Sequence, residues 1–505
     1  MSFIRRVKVG KNTYLVEVEG YRENGKVKQR YIRSIGKEVD GKTVLSGSIN
    51  RAEITKVSIY GPLLVLNELS QQINLQRSLG AYGDCILALV YAHCLQPKSL
   101  NKLQQWFGKT DLNHILNLED ITEKTLLQAL DSLEEQNSQS LQLHLFEKIR
   151  REFHIENEGL FYDVTNTYFY GVNCPLAKRG HNKDGKNKPQ IQIGLVVTKN
   201  GGIPLFHKVF DGNIHDARTL GDVFTTLRGA GIKDTTLVWD RGVSSKNNLQ
   251  EALELGFHVI CGLAINPELK REVDKVLAGM GLSSIKNRIK LENSAFYVVR
   301  KNYSYGGVKG HIYICLNRKI HDGTQERRYD HMHEAQKMLA ENKPLPEGIR
   351  KYFNKDDTIN EKRLKEAEKY DGISILFSTK SLSAEEAVKS YFEKDLIEKA
   401  FKTLKGIVEI RPVRHWLEDR VKAHVFICYL SYLLLSLLNY KVKPLNINAI
   451  QALDELESMY KIHIIDPETK NEFTKTVTLT KQQKTILREV NPELIRCCDK
   501  KQGKT

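Results

Sequence analysis

Alternating apolar and polar residues predict strands at the start of the chain. Tyr14, Val16 and Val18 alternate with polar neighbours, and Asn24 with Gly25 forms a typical hairpin turn before the run VKQRYIRSIG. Up to Lys37 the segment holds ten basic residues and three acids. Residues 1–50 are therefore predicted to form a basic β hairpin module, compatible with DNA binding and equally with a solvated hairpin.

The spacing of apolar residues changes in the next segment. Between residues 51 and 155 they recur every three or four positions, as in GPLLVLNELSQQINLQRSLG and DCILALVYAHCL. This period is that of an amphipathic helix. The segment is predicted to be a helical module.

Residues 156–270 are predicted to alternate strands and helices. GLFYDVTNTYFYG, PQIQIGLVVTKNG and IPLFHKVFDG predict a three-stranded meander, and Asp216 is a candidate N-cap for a helix through Leu227. TTLVWD and FHVICGLA then predict two strands, separated by a helix over about residues 245–255. Three antiparallel strands followed by a strand-helix-strand unit indicate an α/β fold.

The remaining residues divide into three parts. Residues 271–370 combine a strand pattern, SAFYVVRKNYSYGGVKGHIYICLNR, with a charged helical stretch, and predict a β-rich and helical insertion. Residues 371–440 begin with the strand DGISILFST and continue with one long helix from about Ala384. The apolar run over residues 425–438 is shorter than the ~18–20 residues that span a bilayer, so it predicts a buried helix. Residues 441–505 form a C-terminal tail region with weak patterns.

The charge of the chain narrows the class of partner. The 505 residues include 77 Lys and Arg against 61 Asp and Glu, which leaves a net charge of +16. Such a surplus favours a polyanion, most simply nucleic acid, because each neutralised phosphate releases counterions. The chain has no P-loop, no H-E-x-x-H and no G-x-S-x-G motif, so the enzyme classes that carry them lose their sequence support.

The cysteines and the N-terminus bear on location. None of the eight cysteines forms a C-x-x-C pair, which argues against a zinc site and against a secreted disulfide framework. The N-terminus lacks the apolar core of a signal peptide. These observations predict a cytoplasmic protein with reduced thiols and no membrane partner.

Two acids occupy unusual positions for carboxylates. Asp163 ends the apolar strand LFYDVT, and Asp240 ends LVWD. A carboxylate at the end of a buried strand is costly unless it is paired or binds a cation. Taken singly, each is more simply a loop-facing acid or a helix cap.

The predicted long helix presents a polar stripe. Tyr391, Lys394, Glu398 and Lys405 fall at i, i+3, i+7 and i+14, within about 60° of one another at 100° per residue. Taken alone, such a stripe is usually a surface ion-pair ladder. Together with the two strand-end acids, however, Glu398 would complete a three-carboxylate set for two divalent ions that drive phosphoryl transfer. The tyrosine and lysines would then lie where a phosphate backbone passes.

These motifs resemble the DDE transposases of bacterial insertion sequences, in the branch with a Y-x2-R-x3-E-x6-K signature. Here the signature reads Tyr391-x2-Lys394-x3-Glu398-x6-Lys405, with Lys in place of Arg. DVTNTYFYG, GHNKDGKNKPQIQIGLVVTKNGGIPLFHKVFDGNIHD, WDRG, YDG and RPVRHWLEDRVKAHVFICYLSYLL extend the resemblance over about residues 159–438. Because Lys cannot make the forked phosphate contact of Arg, the geometry of that one contact is in doubt.

The resemblance implies a fold and a set of roles. The fold would be a ribonuclease H-like mixed sheet flanked by helices, with Asp163 on the first strand, Asp240 on the fourth and Glu398 on the helix after the fifth. These three acids would be the catalytic residues and the ligands of Mg²⁺, with Mn²⁺ as a substitute. Tyr391, Lys394 and Lys405 would contact DNA.

The activity implied is cleavage at the ends of the element, followed by strand transfer into target DNA. Double-stranded DNA would be the partner, and joining two ends would require a homodimer in a synaptic complex. Two alternatives stay open at this stage. One is a structure-specific nuclease of the same fold, and the other is a catalytically silent DNA-binding protein derived from a transposase.

Overall fold

The computed structural model describes residues 2–10, 12–23, 25–39, 42–45, 53–133, 135–155, 159–169, 173–180, 188–279, 281–291, 294–411, 413, 415–465, 472–499 and 502–503. The chain divides into two compact units. The first unit comprises Met1–Glu68, Gln104–Asp120 and Ile450–Thr505, and the second comprises Leu69–Leu103 and Ile121–Ala449. Both units are thus assembled from separate stretches of sequence, whereas the six segments predicted above are continuous. The division into those six segments stays a prediction.

The elements follow one another in four groups along the chain. The first group begins with strands and continues with helices: β1 (Ser2–Val9), β2 (Asn12–Glu23), β3 (Lys26–Val39), β4 (Lys42–Leu45), β5 (Glu53–Ile59), α1 (Gly61–Gln72), α2 (Leu75–Ser78), α3 (Gly83–Leu95), α4 (Leu100–Gly108), α5 (Leu112–Ile115), α6 (Glu123–Asp131) and α7 (Glu135–Glu152). The second group alternates: β6 (Gly159–Tyr168), β7 (Gln190–Thr198), β8 (Pro204–Asp211), α8 (Leu220–Gly229), β9 (Thr236–Trp239), α9 (Lys246–Glu254) and β10 (His258–Leu263).

The third group coincides largely with the predicted insertion: α10 (Pro267–Ala278), β11 (Arg288–Leu291), β12 (Ser294–Tyr305), β13 (Val308–Asn317), α11 (Arg318–Ala340), α12 (Glu347–Arg350), α13 (Glu361–Glu368) and β14 (Ile373–Ser378). The fourth group completes the chain: α14 (Ala384–Phe392), α15 (Asp395–Gly406), α16 (Glu418–Val442), α17 (Ala449–Glu457), β15 (Tyr460–Ile465), β16 (Glu472–Thr476), α18 (Lys481–Val490), α19 (Glu493–Asp499) and β17 (Gln502–Gly503).

The first unit contains two four-stranded sheets, β1-β2-β3-β4 and β17-β16-β15-β5. The predicted hairpin is confirmed, since β2 and β3 are antiparallel with Glu23 opposite Lys26, while Asn24 lies outside the described residues. Charges alternate across this hairpin: Arg33 pairs with Glu17 at 2.7 Å and Arg30 with Glu19 at 2.8 Å. Part of its basic charge is therefore neutralised within the sheet.

The second unit is built on a mixed sheet of nine strands, in the order β11-β12-β13-β14-β10-β9-β6-β7-β8, flanked by helices. The predicted meander is confirmed, because β6, β7 and β8 pair antiparallel. β9 is parallel to both β6 and β10, as the strand-helix-strand pattern predicts. β14 returns antiparallel between β10 and β13 and so joins the insertion to the same sheet.

The buried apolar helix predicted near the C-terminal side of the second unit is α16. Among the described residues, the stretch Glu418–Leu445 is long and apolar enough to cross a membrane by length and composition, but 89% of its apolar window is buried within the fold. Tyr429 and Tyr432 donate hydrogen bonds from this helix to the backbone carbonyls of Leu205 and Gly202. The helix is therefore typical of a protein core.

Three local predictions differ from the structure. The segment predicted to be helical from residue 51 begins with a strand, β5, which pairs with β15. Asp216 does not cap α8; it is the first residue of a short 3₁₀ turn whose cap position is His215. The C-terminal tail region, which had only weak patterns, forms α17 to α19 and β15 to β17.

Candidate active site

The central sheet places two carboxylates at neighbouring positions. β6 and β9 are parallel with Tyr162 opposite Trp239, so the next residues along the two strands are Asp163 and Asp240. Neighbouring strands are about 4.8 Å apart, and residues in register point to the same face of a sheet. Both aspartates are half-buried. The register therefore brings two acids, distant in sequence, to one site. The prediction that Asp163 ends its strand is wrong, because Asp163 lies in the middle of β6, which continues to Tyr168; only Asp240 follows the end of its strand.

One oxygen of Asp240 is held by three donors. Oδ1 accepts hydrogen bonds from the Tyr391 hydroxyl at 2.7 Å and from the Arg241 amide at 2.8 Å, and the Lys394 ammonium lies 3.1 Å away. Within the described part of the chain, Oδ2 of Asp240 has no hydrogen-bond partner. The carboxylate is thus fixed through one oxygen while the other stays available as a ligand.

The electrostatics of this cluster favour an ionised Asp240. Burial opposes its ionisation, but the charge of Lys394 and the hydrogen bonds from Tyr391 and Arg241 together hold its pKa below the ordinary value. Burial and the Asp240 charge raise the pKa of Tyr391, so its hydroxyl keeps the proton that it donates. A Cβ at position 262 would lie 2.5 Å from this hydroxyl, so Gly262 is required for the close approach.

The single long helix predicted from Ala384 is wrong, because residues 393 and 394 form a turn between α14 and α15. Here the amide of Lys394 bonds to the Tyr391 carbonyl, and the amide of Ile397 bonds to the Lys394 carbonyl. These i to i−3 bonds wind the backbone by about 120° per residue instead of 100°. Tyr391 and Lys394 therefore do not share one uninterrupted stripe with Glu398 and Lys405.

Glu398 lies on the helix that begins directly after Lys394. α15 packs against β6 and β7, and Glu398 is an exposed residue one helical turn after Lys394. One turn advances about 6 Å along the helix axis, and Lys394 itself contacts Asp240. The fold thus brings Asp240, Tyr391 and Lys394 into direct contact, with Asp163 on the neighbouring strand and Glu398 on the adjoining helix.

Lys405 and Tyr391 differ in what they present to a substrate. Lys405 is half-buried in the last turn of α15, about 10 Å along the axis from Glu398. Tyr391 is only 6% exposed and its hydroxyl is engaged by Asp240. In this conformation Tyr391 holds the carboxylate, and its predicted contact with DNA stays a prediction.

A cavity of about 440 Å³ is lined by residues that follow the two aspartates closely in sequence and by polar residues to which the sequence analysis gave no role in the site. Thr165, Asn166, Gln192 and Asp216 line it together with Gly242, which follows Asp240 by two residues. The Asp216 carboxylate lies 3.7 Å from where a Cβ of residue 242 would be. The signal that could have revealed this wall is the pair of glutamines inside the otherwise apolar strand QIQIGLVV, because a buried polar side chain requires a partner or a role.

Comparison with known families identifies the second unit. The family model described as a transposase DDE domain matches residues 157–434, more than half of the chain. The chain belongs to the DDE transposases. A DDE transposase uses divalent metal ions, and the matched range contains Asp163, Asp240 and Glu398.

Two further comparisons add little. A cryo-EM structure of the piggyBac transposase synaptic complex with hairpin DNA matches with a TM-score of 0.40 and 12% identity, covering 79% of this transposase and 80% of that chain. A likeness this distant carries no conclusion about the fold, the DNA or the assembly of this chain. A search of curated proteins found no match.

The donor atoms of the site fit a hard divalent cation. Carboxylate oxygens are the ligands that Mg²⁺ and Mn²⁺ prefer. Asp240 keeps one oxygen without a hydrogen-bond partner in the described chain, and Glu398 is exposed on the adjoining helix. Since the site offers oxygen donors and neither thiolate nor imidazole from these residues, its chemistry matches the metal use of the family.

Proposed function

We propose that this DDE transposase cleaves DNA at the ends of an insertion sequence and transfers the freed strand into target DNA, with Asp163, Asp240 and Glu398 as its catalytic residues. The observation that carries the proposal is the state of Asp240. Its Oδ1 is fixed by Tyr391, Arg241 and Lys394, and its Oδ2 faces no partner in the described chain. A structural ion pair would not require that second oxygen to stay unpaired next to the strand that carries Asp163.

A ribonuclease H-like core is part of the proposal. Within the large sheet, the order β10-β9-β6-β7-β8 combines an antiparallel meander with two later strands parallel to the first. The acids fall on the first of these strands and at the end of the fourth. β11 to β14 and α10 to α13 then separate the fifth strand from α14 and from α15, which carries Glu398. This order supports the proposed core and explains the long sequence gap between Asp240 and Glu398.

The proposed roles follow from the contacts. Bound Mg²⁺, or Mn²⁺ in its place, would activate the attacking oxygen and stabilise the leaving one. Tyr391 and Lys394 keep Asp240 ionised and oriented, so its free oxygen is preorganised to bind a cation. The Lys394 side chain is 18% exposed and its ammonium lies 3.1 Å from Asp240 Oδ1, so it would meet a phosphate that enters the site. Lys405, further along α15, would contact the backbone beyond the cleavage point.

We further propose the branch, assembly and location of the enzyme. The signature Tyr391-x2-Lys394-x3-Glu398-x6-Lys405 supports the bacterial insertion-sequence branch. Joining the two ends of an element requires two active sites, so a homodimer on double-stranded DNA is expected. The net charge of +16 suits such a polyanion, and the substrate implies action in the cytoplasm.

The test uses the full chain and DNA that contains the sequences flanking its coding region. With Mg²⁺ or Mn²⁺, the protein should nick these ends and produce joined products with a target plasmid. Ca²⁺ should support binding with little cleavage, because its looser coordination fits an octahedral site poorly. Cleavage without joined products would favour the structure-specific nuclease. Tight binding without cleavage in any divalent ion would favour the silent DNA-binding protein, and both results would refute the proposal.

A further inference from the structure

Three side chains of metal-ligating type meet in the helical part of the second unit. His93 lies on α3, and His424 and Cys428 lie on α16, which packs against α3. The ligating atoms of these three side chains are all within 4.8 Å of one another. The cluster is separate from the carboxylates of the proposed active site, and none of its members belongs to the transposase signature.

His93 is oriented as a metal-ligating histidine usually is. Its Nδ1 lies 2.7 Å from the backbone carbonyl of Val408. Because a carbonyl oxygen only accepts, Nδ1 must carry the ring proton, and Nε2 is left with its lone pair. Metal-bound histidines commonly donate their other ring nitrogen to a carbonyl or carboxylate in this way. His93 is also only 9% exposed, so the surrounding side chains restrict the orientation of its ring.

His424 and Cys428 supply the other two donors from one helix face. They are separated by four residues, which places them one above the other on α16. The Cys428 Sγ lies 3.7 Å from His424 Nε2. In a tetrahedral zinc site, with bonds of about 2.0 Å to nitrogen and 2.3 Å to sulfur, neighbouring donors are about 3.5 Å apart. The observed spacing therefore needs only small adjustments to accept an ion.

A cavity gives access to the cluster and to a fourth coordination position. It has a volume of about 320 Å³ and is lined by His93, His415 and His424, with Trp416 also in its wall. The ring of His415 is centred 5.8 Å from that of His424. Zinc requires a fourth ligand beyond His93, His424 and Cys428. Either a water molecule in this cavity or His415 can provide it.

We propose that His93, His424 and Cys428 form a Zn²⁺ site that stabilises the fold independently of catalysis. Two imidazoles and a thiolate suit zinc, whereas Mg²⁺ prefers oxygen. The ion would fasten α3 to α16. It would also fix the segment after α15, because the Val408 carbonyl accepts a hydrogen bond from His93 Nδ1. This segment follows Lys405 directly, so the ion would help to position the end of α15.

The sequence alone argues against zinc because it lacks a C-x-x-C pair, but that argument concerns only ligands that lie close together in the sequence. The donors come from two helices that are distant in sequence, so no short spacing reveals them. A second cluster in the first unit, Asp111 with His114 and His463, does not carry the same inference. Both imidazoles lie 3.0 Å from a single oxygen of Asp111, and the Lys461 ammonium lies 3.1 Å from the other. That carboxylate is already neutralised by side chains.

The test measures metal in the intact protein. The full chain, produced with zinc in the medium and freed of any histidine tag, should contain about one zinc ion per chain when its metal content is measured by inductively coupled plasma mass spectrometry. Replacing zinc with Co²⁺ should produce the near-ultraviolet absorption of a cobalt–thiolate bond. Cobalt at the carboxylate site has no sulfur ligand and cannot produce this band, so the two metal sites are distinguished.

Variants assign the ligands. Cys428→Ser and His93→Ala should each lower zinc affinity by more than about 100-fold and abolish the cobalt–thiolate band. Cys315→Ser is the matched control, since Cys315 is equally buried in β13 of the same unit; it should retain both metal and band, as should Asp240→Asn. A wild-type protein without zinc and without the cobalt band would overturn the proposal, even if no variant folds. Unchanged zinc in Cys428→Ser would equally overturn it.

Discussion

Removal of the Tyr391 hydroxyl tests whether this residue holds the Asp240 carboxylate. The hydroxyl donates to Asp240 Oδ1 at 2.7 Å, from a side chain that is buried. A hydrogen bond to a charged group contributes about 1.5–3 kcal/mol. The Asp240 side chain is 42% exposed, and solvent screening reduces the expected cost of Tyr391→Phe to about 1 kcal/mol. Because the second unit is larger than the ~250 residues for which a shift of about 2–4 °C is typical, it should melt about 1–2 °C lower.

The stability lost in Tyr391→Phe should decrease as the pH is lowered. The pKa of Asp240 is lower in the folded protein than its ordinary value of 3.8. A carboxyl with a depressed folded pKa contributes stability above its unfolded pKa and loses it as the pH falls through the folded pKa. The difference in melting temperature between Tyr391→Phe and wild type should therefore be full near neutral pH. It should shrink as the pH falls below 3.8.

Tyr432→Phe is the matched control for this experiment. Its hydroxyl is also buried and donates at 2.8 Å, but to the uncharged Gly202 carbonyl, so its cost should not change on acidification. Tyr391→Phe should also cost less in an Asp240→Asn background than in wild type. Equal losses for both tyrosines at every pH, or the same loss with and without the Asp240 charge, would refute the reasoning.

Three further predictions concern stability and DNA binding. Burial lowers the pKa of His207 from 6.5 to about 3. The unfolded chain therefore binds a proton that the folded protein does not, and the free energy of unfolding should fall by about 2 kcal/mol as the pH is lowered from 7 to 5. Melting curves of His207→Gln should lack that part of the acid sensitivity. Arg328 binds Asp371 through two hydrogen bonds, at 2.6 and 2.5 Å, and both side chains are nearly buried; Arg328→Met should cost about 3–5 kcal/mol, and limited proteolysis should cut the insertion faster. Lys405→Ala should weaken DNA binding and reduce the salt slope by about one phosphate contact, whereas Lys402→Ala, at an exposed position of the same helix, should not; equal effects would indicate only a generally basic surface.

Local patterns predicted much of the second unit. The strands β6 to β10 follow from short apolar runs that end at Gly, Asn or Asp, because each pattern is complete within a few residues. The same local reasoning identified α16 as a buried helix from its apolar run. Strand β5 was missed because its partner, β15, comes from the other end of the chain. The pattern of residues 460–465 was also weak, because β15 pairs with β5, which lies about 400 residues earlier in the chain.

The candidate site was predictable only in part. The strand end at Asp240 was visible in the sequence, but the one predicted at Asp163 was wrong, because the polar run after it continues β6 by pairing with β7. The parallel pairing of β6 and β9 depends on the sheet topology. The turn at residues 393 and 394 was not predicted. The apolar residues keep a helical spacing through it, so the pattern does not reveal the i to i−3 hydrogen bonds that interrupt the helix. Lys394, in this turn, contacts Asp240. Asp216 was interpreted as a helix cap, since nothing local shows that it lies beside Gly242.

The most direct test of the central claim is the rate of DNA nicking by variants of the three acids. Asp163→Asn, Asp240→Asn and Glu398→Gln should each reduce Mn²⁺-dependent nicking of the element ends to background. DNA binding should change little, because these residues hold the cations that act on the reacting phosphate. Asp395→Asn is the control, since this acid lies on the same helix as Glu398 and pairs with Lys399 at 2.7 Å; it should nick normally. Near-normal nicking by any one of the three variants would contradict the account and remove that residue from the active site.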